Sequence, residues 1–193
     1  VNRNFITSDT EEMTAEADEV RLGYVTKAIK AAQRFKGLTL PTDLARKFML
    51  LRIAEQLPAP SDARKTAELA SITSSMTAAY GKGKYCPANK SPLRKEIVAL
   101  HKKNKDKAAT AKKWLECSEF GQAGTGVPLG GLSTVMAKSR DPKALREAWV
   151  GWRKIAPAIQ KNYRRYVELG NQGAKELGFE DVGSLWRSGY DMS

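Results

Sequence analysis

Apolar residues recur along this chain at spacings of three and four with polar residues between them, the pattern of amphipathic helices rather than strands. The first stripe runs Met13, Ala17, Val20, Tyr24, Ala28, Ala31, Phe35; the capping-box pattern Ser8-Asp9-Thr10-Glu11 opens it and Gly37 ends it. Leu40-Pro41-Thr42 restarts a second helix with Leu44, Phe48 and Leu51 inward, and Pro58-Ala59-Pro60 terminates it. Ser61 caps a third, which carries Leu69, Ile72, Met76 and Ala79 or Tyr80 and stops at Gly81. Ser91-Pro92 supplies a cap and a first-turn proline for a fourth, 92 to about 116, in which Leu93, Ile97 and Leu100 give way to lysines. Its outer half is polar nearly all round and is expected to project into solvent. Gly121 to Gly131 reads as a loop; it lacks the Lys-Ser or Lys-Thr of a phosphate loop, having Val127-Pro128 instead.

The C-terminal third, Leu145 to Ser193, holds three of the four Trp and three of the six Tyr. Asp141-Pro142 heads a helix that places Leu145, Trp149, Trp152 and Ile155 or Ala156 on one face. Arg153 lies on the edge of that face, where a half-buried guanidinium needs an anionic partner. Pro157 forces a kink or restart, and a second stripe, Ile159, Tyr163, Tyr166, Gly170, Ala174, Leu177, runs to a stop at Gly178. Asp181 caps a short turn on which Trp186 and Tyr190 face the same way. No segment has the alternation or turn chemistry of strands, so the class is all-α.

Charge changes this picture locally. Of the net +12, residues 82–113 carry +9, with eleven basic residues against Glu96 and Asp106. The rest is nearly balanced, and no apolar run approaches a membrane span. One reading is a free-standing basic helical module that uses this segment, with Lys161, Arg164 and Arg165 beside Tyr163 and Tyr166, to hold nucleic acid or an acidic partner. It is the weaker reading, because a charge run is usually a solvated face. The chain has no initiator Met and ends directly after Tyr190-Asp191-Met192-Ser193, and both ends are expected to be cut from something longer.

Little catalytic chemistry can be assembled. The single histidine, His101, stands among lysines and is expected at the surface, and no His-Glu-x-x-His pattern is present. Cys86 and Cys117 bracket the basic segment, either as a disulfide or as two unrelated thiols.

The run AWVGWRK, then YVELGNQGAKELGFEDVG, then LWRSGYD, extended upstream by VMAKSR, resembles the peptidyl-dipeptidase A family, the angiotensin-converting-enzyme-like zinc metallopeptidases. NRNFITSDTEEM resembles the start of the mature enzyme more loosely. The resemblance implies that residues 1–193 are the N-terminal helical portion, lid and cleft wall, of a large and mostly helical zinc peptidase with a deep cleft, carrying a basic insert at about 82–116. It implies an enzyme that releases dipeptides from the C-terminus of oligopeptides, with zinc bound by a C-terminal portion beyond this sequence. The partners are then oligopeptide substrates and the remainder of the polypeptide, nucleic acid is not among them, and this chain alone is inactive. In the family the arginine matching Arg153 and the tyrosine matching Tyr190 contribute to chloride sites; the alternative for Arg153 is a carboxylate partner, Glu147 or Asp181. The resemblance favours a Cys86–Cys117 disulfide and an extracytoplasmic setting, periplasmic or secreted, although the related enzymes close a much shorter hairpin there. Leu129 stands where the animal enzymes have a substrate-contacting glutamate, and the lysine-rich insert departs from them altogether.

Overall fold

The computed structural model describes residues 7–53, 56–102, 105–117 and 126–190. It is all-α, as the spacing predicts. In chain order the elements are α1 (Ser8–Gln33), α2 (Thr42–Ile53), α3 (Ala63–Lys82), β1 (Lys84–Tyr85), α4 (Pro92–His101), α5 (Lys105–Leu115), β2 (Val127–Pro128), α6 (Leu129–Lys138), α7 (Pro142–Arg153), α8 (Ala156–Glu176) and α9 (Val182–Arg187). The unpredicted feature is a two-residue antiparallel ladder, Lys84 opposite Pro128 and Tyr85 opposite Val127. Gly126 feeds it at φ +107, a backbone conformation that favours glycine.

The chain divides into two compact units, Val1–Ala78 with Lys161–Ser193, and Ala79–Gln160. In the first, Leu22, Ala59, Leu69, Ala70 and Leu169 form the core, with Leu57, Ile72 and Tyr166 packed on it. Several polar ties register its elements, among them the following. Ser74 donates to the carbonyl of Glu11 at 2.7 Å, Lys65 to the Gln172 amide oxygen at 2.9 Å, and the Val182 amide to Asn171 at 3.1 Å. The predicted α1 stripe is rotated: Met13, Val20 and Tyr24 are exposed, and Leu22, Thr26 and Ile29 are buried. Few large residues compete for the core on this helix, so the partner's shape decides which face turns inward. Its cap is Thr7, one residue earlier than expected, exchanging hydrogen bonds with Thr10. In α2 no residue is fully buried; Phe48 meets Phe35 at 5.3 Å between ring centres, and Leu44 is exposed.

In the second unit, Tyr85, Leu93, Ile97, Ala111, Leu115, Val127, Leu132, Val135 and Ala148 form the core. The expected long fourth helix is two helices, α4 and α5, packed against each other. The basic segment therefore does not project: its apolar minority, Leu93, Ile97, Ala111 and Leu115, builds the interior. Burying each leucine or isoleucine there contributes about 1.5–3 kcal/mol. Ser91, Pro92, Asp141, Pro142 and Asp181 begin their helices as predicted. The break expected near Pro157 separates α7 from α8, and Gly178, at φ +84, follows the end of α8.

Candidate functional site

α7 buries its small residues, Ala144, Ala148 and Gly151. Of its large residues, Trp152 packs against the core, whereas Trp149 is 51% exposed and Arg153, one turn later, is exposed rather than half-buried. The guanidinium carbon lies 3.1 Å from the centre of the Trp149 ring, and Nη1 donates to the Trp149 carbonyl at 2.8 Å. A stacked guanidinium gains cation–π attraction while its other N–H groups stay available. The two carboxylates considered as its partners have other work. Glu147 accepts from the Leu93 amide at 3.2 Å and the Tyr85 hydroxyl at 3.4 Å, and Asp181 accepts from the Ser184 amide at 2.6 Å as the cap of α9. Burial, followed by the Glu147 charge, pushes the Tyr85 hydroxyl above its ordinary range.

Tyr190, in the other unit, is 67% exposed and lies just past α9. Trp186 on that helix is half exposed and donates its indole N–H to the Gln56 carbonyl at 2.6 Å. Tyr163 and Tyr166 stack at 5.9 Å. Beside them Arg165 holds Glu68 through two bonds, at 2.8 and 2.9 Å, and Glu168 at 2.9 Å, so its charge is already matched. The same unit carries an apolar groove of about 480 Å³ between the C-terminal parts of α1, α2 and α8, where Arg52 stacks over Phe179 at 4.5 Å.

His101 corrects the surface expectation. It is buried, its Nδ1 is 2.8 Å from the Ile97 carbonyl, and its ring meets Trp114 edge-on at 5.6 Å. The second helix of the hairpin, α5, brings Trp114 onto it, which the run of lysines concealed. Cys86 and Cys117 are joined, with Cα atoms 5.8 Å apart, across 31 positions. Zinc does not fit the residues present: among the described residues no three His, Cys, Asp or Glu side chains converge, and both cysteines are oxidised to the disulfide.

The hairpin also makes a site that the reading of residues missed. Arg94 and Val98 of α4 and Lys102 just past its end, four residues apart, form one wall of a groove of about 470 Å³; Ala108, Ala111, Lys112 and Leu115 of α5 form the other, and Glu116, just past α5, lines it as well. The Arg94–Lys102 spacing of two helical turns is the signal that could have revealed it. Among the described residues no helix is long and apolar enough to cross a membrane.

Comparison with known proteins places the chain. The family model described as angiotensin-converting enzyme matches residues 1–125 and 117–193. Angiotensin-converting enzyme of Sus scrofa is 45% identical over 62 residues, covering 32% of this chain and 5% of that protein. The angiotensin-converting enzyme-like protein Ace3 of Mus musculus is 43% identical over 61 residues, 31% of this chain and 8% of that protein. Angiotensin-converting enzyme of Theromyzon tessulatum is 39% identical over 61 residues, 31% and 10%. The matched stretch thus spans a tenth or less of each of these relatives. No solved structure matches. With two matches that between them run from the first residue to the last, the chain belongs to the angiotensin-converting enzyme family.

Proposed function

We propose that this chain is the N-terminal helical part of a zinc-dependent peptidyl-dipeptidase that releases dipeptides from the C-terminus of oligopeptides. The observation that carries the reading is the family match along all 193 residues. The zinc ligands and the general base belong to a further part of the same polypeptide, and this chain contributes a wall and lid to the cleft. The disulfide fits a protein that works outside the cytoplasm, in the periplasm or after secretion.

Chloride is part of the proposal. Arg153 keeps donors free beside the Trp149 ring, and Tyr190 presents its hydroxyl at the surface of its own unit. Each contributes to an anion site completed by the remainder of the polypeptide, whose docking would remove these groups from water.

The test is to isolate from its source the polypeptide that carries this sequence, and to measure zinc content and dipeptide release from an N-blocked tripeptide. One zinc per chain and release that a chelator abolishes are expected, with none from the 193-residue chain alone. Arg153→Gln in the full polypeptide should blunt the response of the rate to chloride. A zinc-loaded full polypeptide that releases no dipeptide from any blocked oligopeptide sinks the reading.

A further inference from the structure

The hairpin of α4 and α5 separates its residues by chemistry. Leu93, Ile97, Ala111 and Leu115 are spent on the core, and its described lysines are left on the outside with Val98. Lys95, Lys102, Lys105 and Lys112 are exposed, and among the described residues none of them makes an ion pair. Two of the groove's basic residues, Arg94 in α4 and Lys102 at its C-cap, stand eight residues apart, about 12 Å along the helix axis, and Lys112 lines the groove from α5. The disulfide ties the two ends of the hairpin together, and Arg94 spans it by donating to the Leu115 carbonyl at 2.6 Å. The cations are therefore held by an ordered frame.

From this we infer that the α4–α5 hairpin binds along its groove a linear anionic polysaccharide whose carboxylates or sulfates meet Lys102 and Lys112 in the groove and the exposed Lys95 and Lys105 of the same hairpin. Glu116 also lines the groove and is outnumbered there by Arg94, Lys102 and Lys112. Three observations select this partner among polyanions. The disulfide belongs to an oxidising compartment, where nucleic acid is not the usual polyanion. A single-stranded nucleic acid is held by exposed aromatic rings as well as by charge, and the hairpin's one aromatic ring is packed against His101. An anionic lipid surface would be gripped by large apolar side chains among the lysines, and in the groove only Val98 is such a side chain at the surface. A narrow flexible chain with repeated anions needs neither rings nor insertion. It needs spaced cations in a groove.

The full polypeptide that carries this sequence is titrated with heparin, with polygalacturonate, with single-stranded DNA of equal charge, and with vesicles containing an anionic phospholipid. Heparin or polygalacturonate is expected to bind, with affinity falling steeply from about 50 to about 200 mM salt because counterions are released on contact. The variant K95Q/K102Q/K105Q/K112Q should bind at least tenfold more weakly with an unchanged circular dichroism spectrum, and the matching Lys→Arg variant should bind like the parent. A control that removes four lysines elsewhere, K27Q/K36Q/K138Q/K175Q, should change binding less than threefold. The inference is overturned if neither polysaccharide binds, if DNA or vesicles bind as tightly as the polysaccharides, or if the control weakens binding as much as the groove variant.

Discussion

Gly151 of α7 lies flat beneath the ring of Tyr85: a methyl group there would come within 2.5–2.7 Å of three ring carbons. The ring cannot easily withdraw, because its hydroxyl reaches Glu147 one turn earlier on the same helix and its body is part of the core. Gly151→Ala gains up to about 1 kcal/mol of helix propensity but overpacks the contact at a cost of about 1–3 kcal/mol. Net destabilisation is expected in urea titrations. A double-mutant cycle with Tyr85→Ala should show that most of the loss disappears when the ring is gone.

Gly23, in the middle of α1, is the opposite case, because a methyl group added there meets nothing within 4 Å. With no clash to oppose helix propensity, Gly23→Ala is expected to stabilise by about 0.5–1 kcal/mol. A fall in the urea midpoint would mean that this face of α1 is covered.

Glu176 accepts from Lys30 and from both the amide and hydroxyl of Ser61. Burial alone would raise its carboxyl; the hydrogen bonds from Lys30 and Ser61 outweigh it and leave the group below its ordinary range. A carboxyl depressed in the folded state stabilises above its unfolded pKa of about 4.3, and this contribution is lost as pH falls through the lower folded value. Glu176→Gln should cost about 1–2 kcal/mol at pH 7. The gap between parent and variant should narrow as pH falls below the ordinary carboxylate range and through the lowered folded value, and a gap that stays constant down to acid unfolding would contradict the assignment.

The Cys86–Cys117 bond closes a loop across 31 positions. In the chain-entropy account such a loop contributes about 3–4 kcal/mol. The C86A/C117A variant should lose that much, with hydrogen exchange of α4 and α5 rising before that of α8. Exchange that rises equally in both helices' units would point to a single cooperative body.

Helix starts were the most legible part of the chain, because Ser91-Pro92, Asp141-Pro142 and Asp181 act through bonds that are local in sequence. Leu69, Leu93, Ile97, Gly170, Ala174 and Leu177 are buried as their spacing predicts, but the buried face of α1 and of α7 was read less well, for a reason visible in α7. The reading followed the large rings; Trp152 does pack on the core, but close approach selects small residues, so Ala144, Ala148 and Gly151 turned inward and Trp149 was left exposed. In α1 the cause was different: few large residues mark either face, and the stripe chosen missed Leu22 and Ile29. In the basic segment, charge hid structure: thirteen charged residues over 82–113 suggested a solvated helix, although four apolar residues at the right spacing suffice to fold the segment back on itself. The site residues Arg153 and Tyr190 came from family likeness, since single residues carry no period to read.

The Cys86–Cys117 closure has a further consequence for how this protein can change. Its ends are only 5.8 Å apart, so the hairpin looks like a loop that could be trimmed to a short turn. Yet its inner face packs with Leu132, Val135 and Ala148, and excision would leave an open apolar wall. Lys95, Lys102, Lys105 and Lys112 are exposed and can be gained or lost one at a time without opening the core beneath them. The hairpin itself can disappear only in a single step that also rebuilds α6 and α7, which makes it a durable platform on which surface chemistry is free to drift.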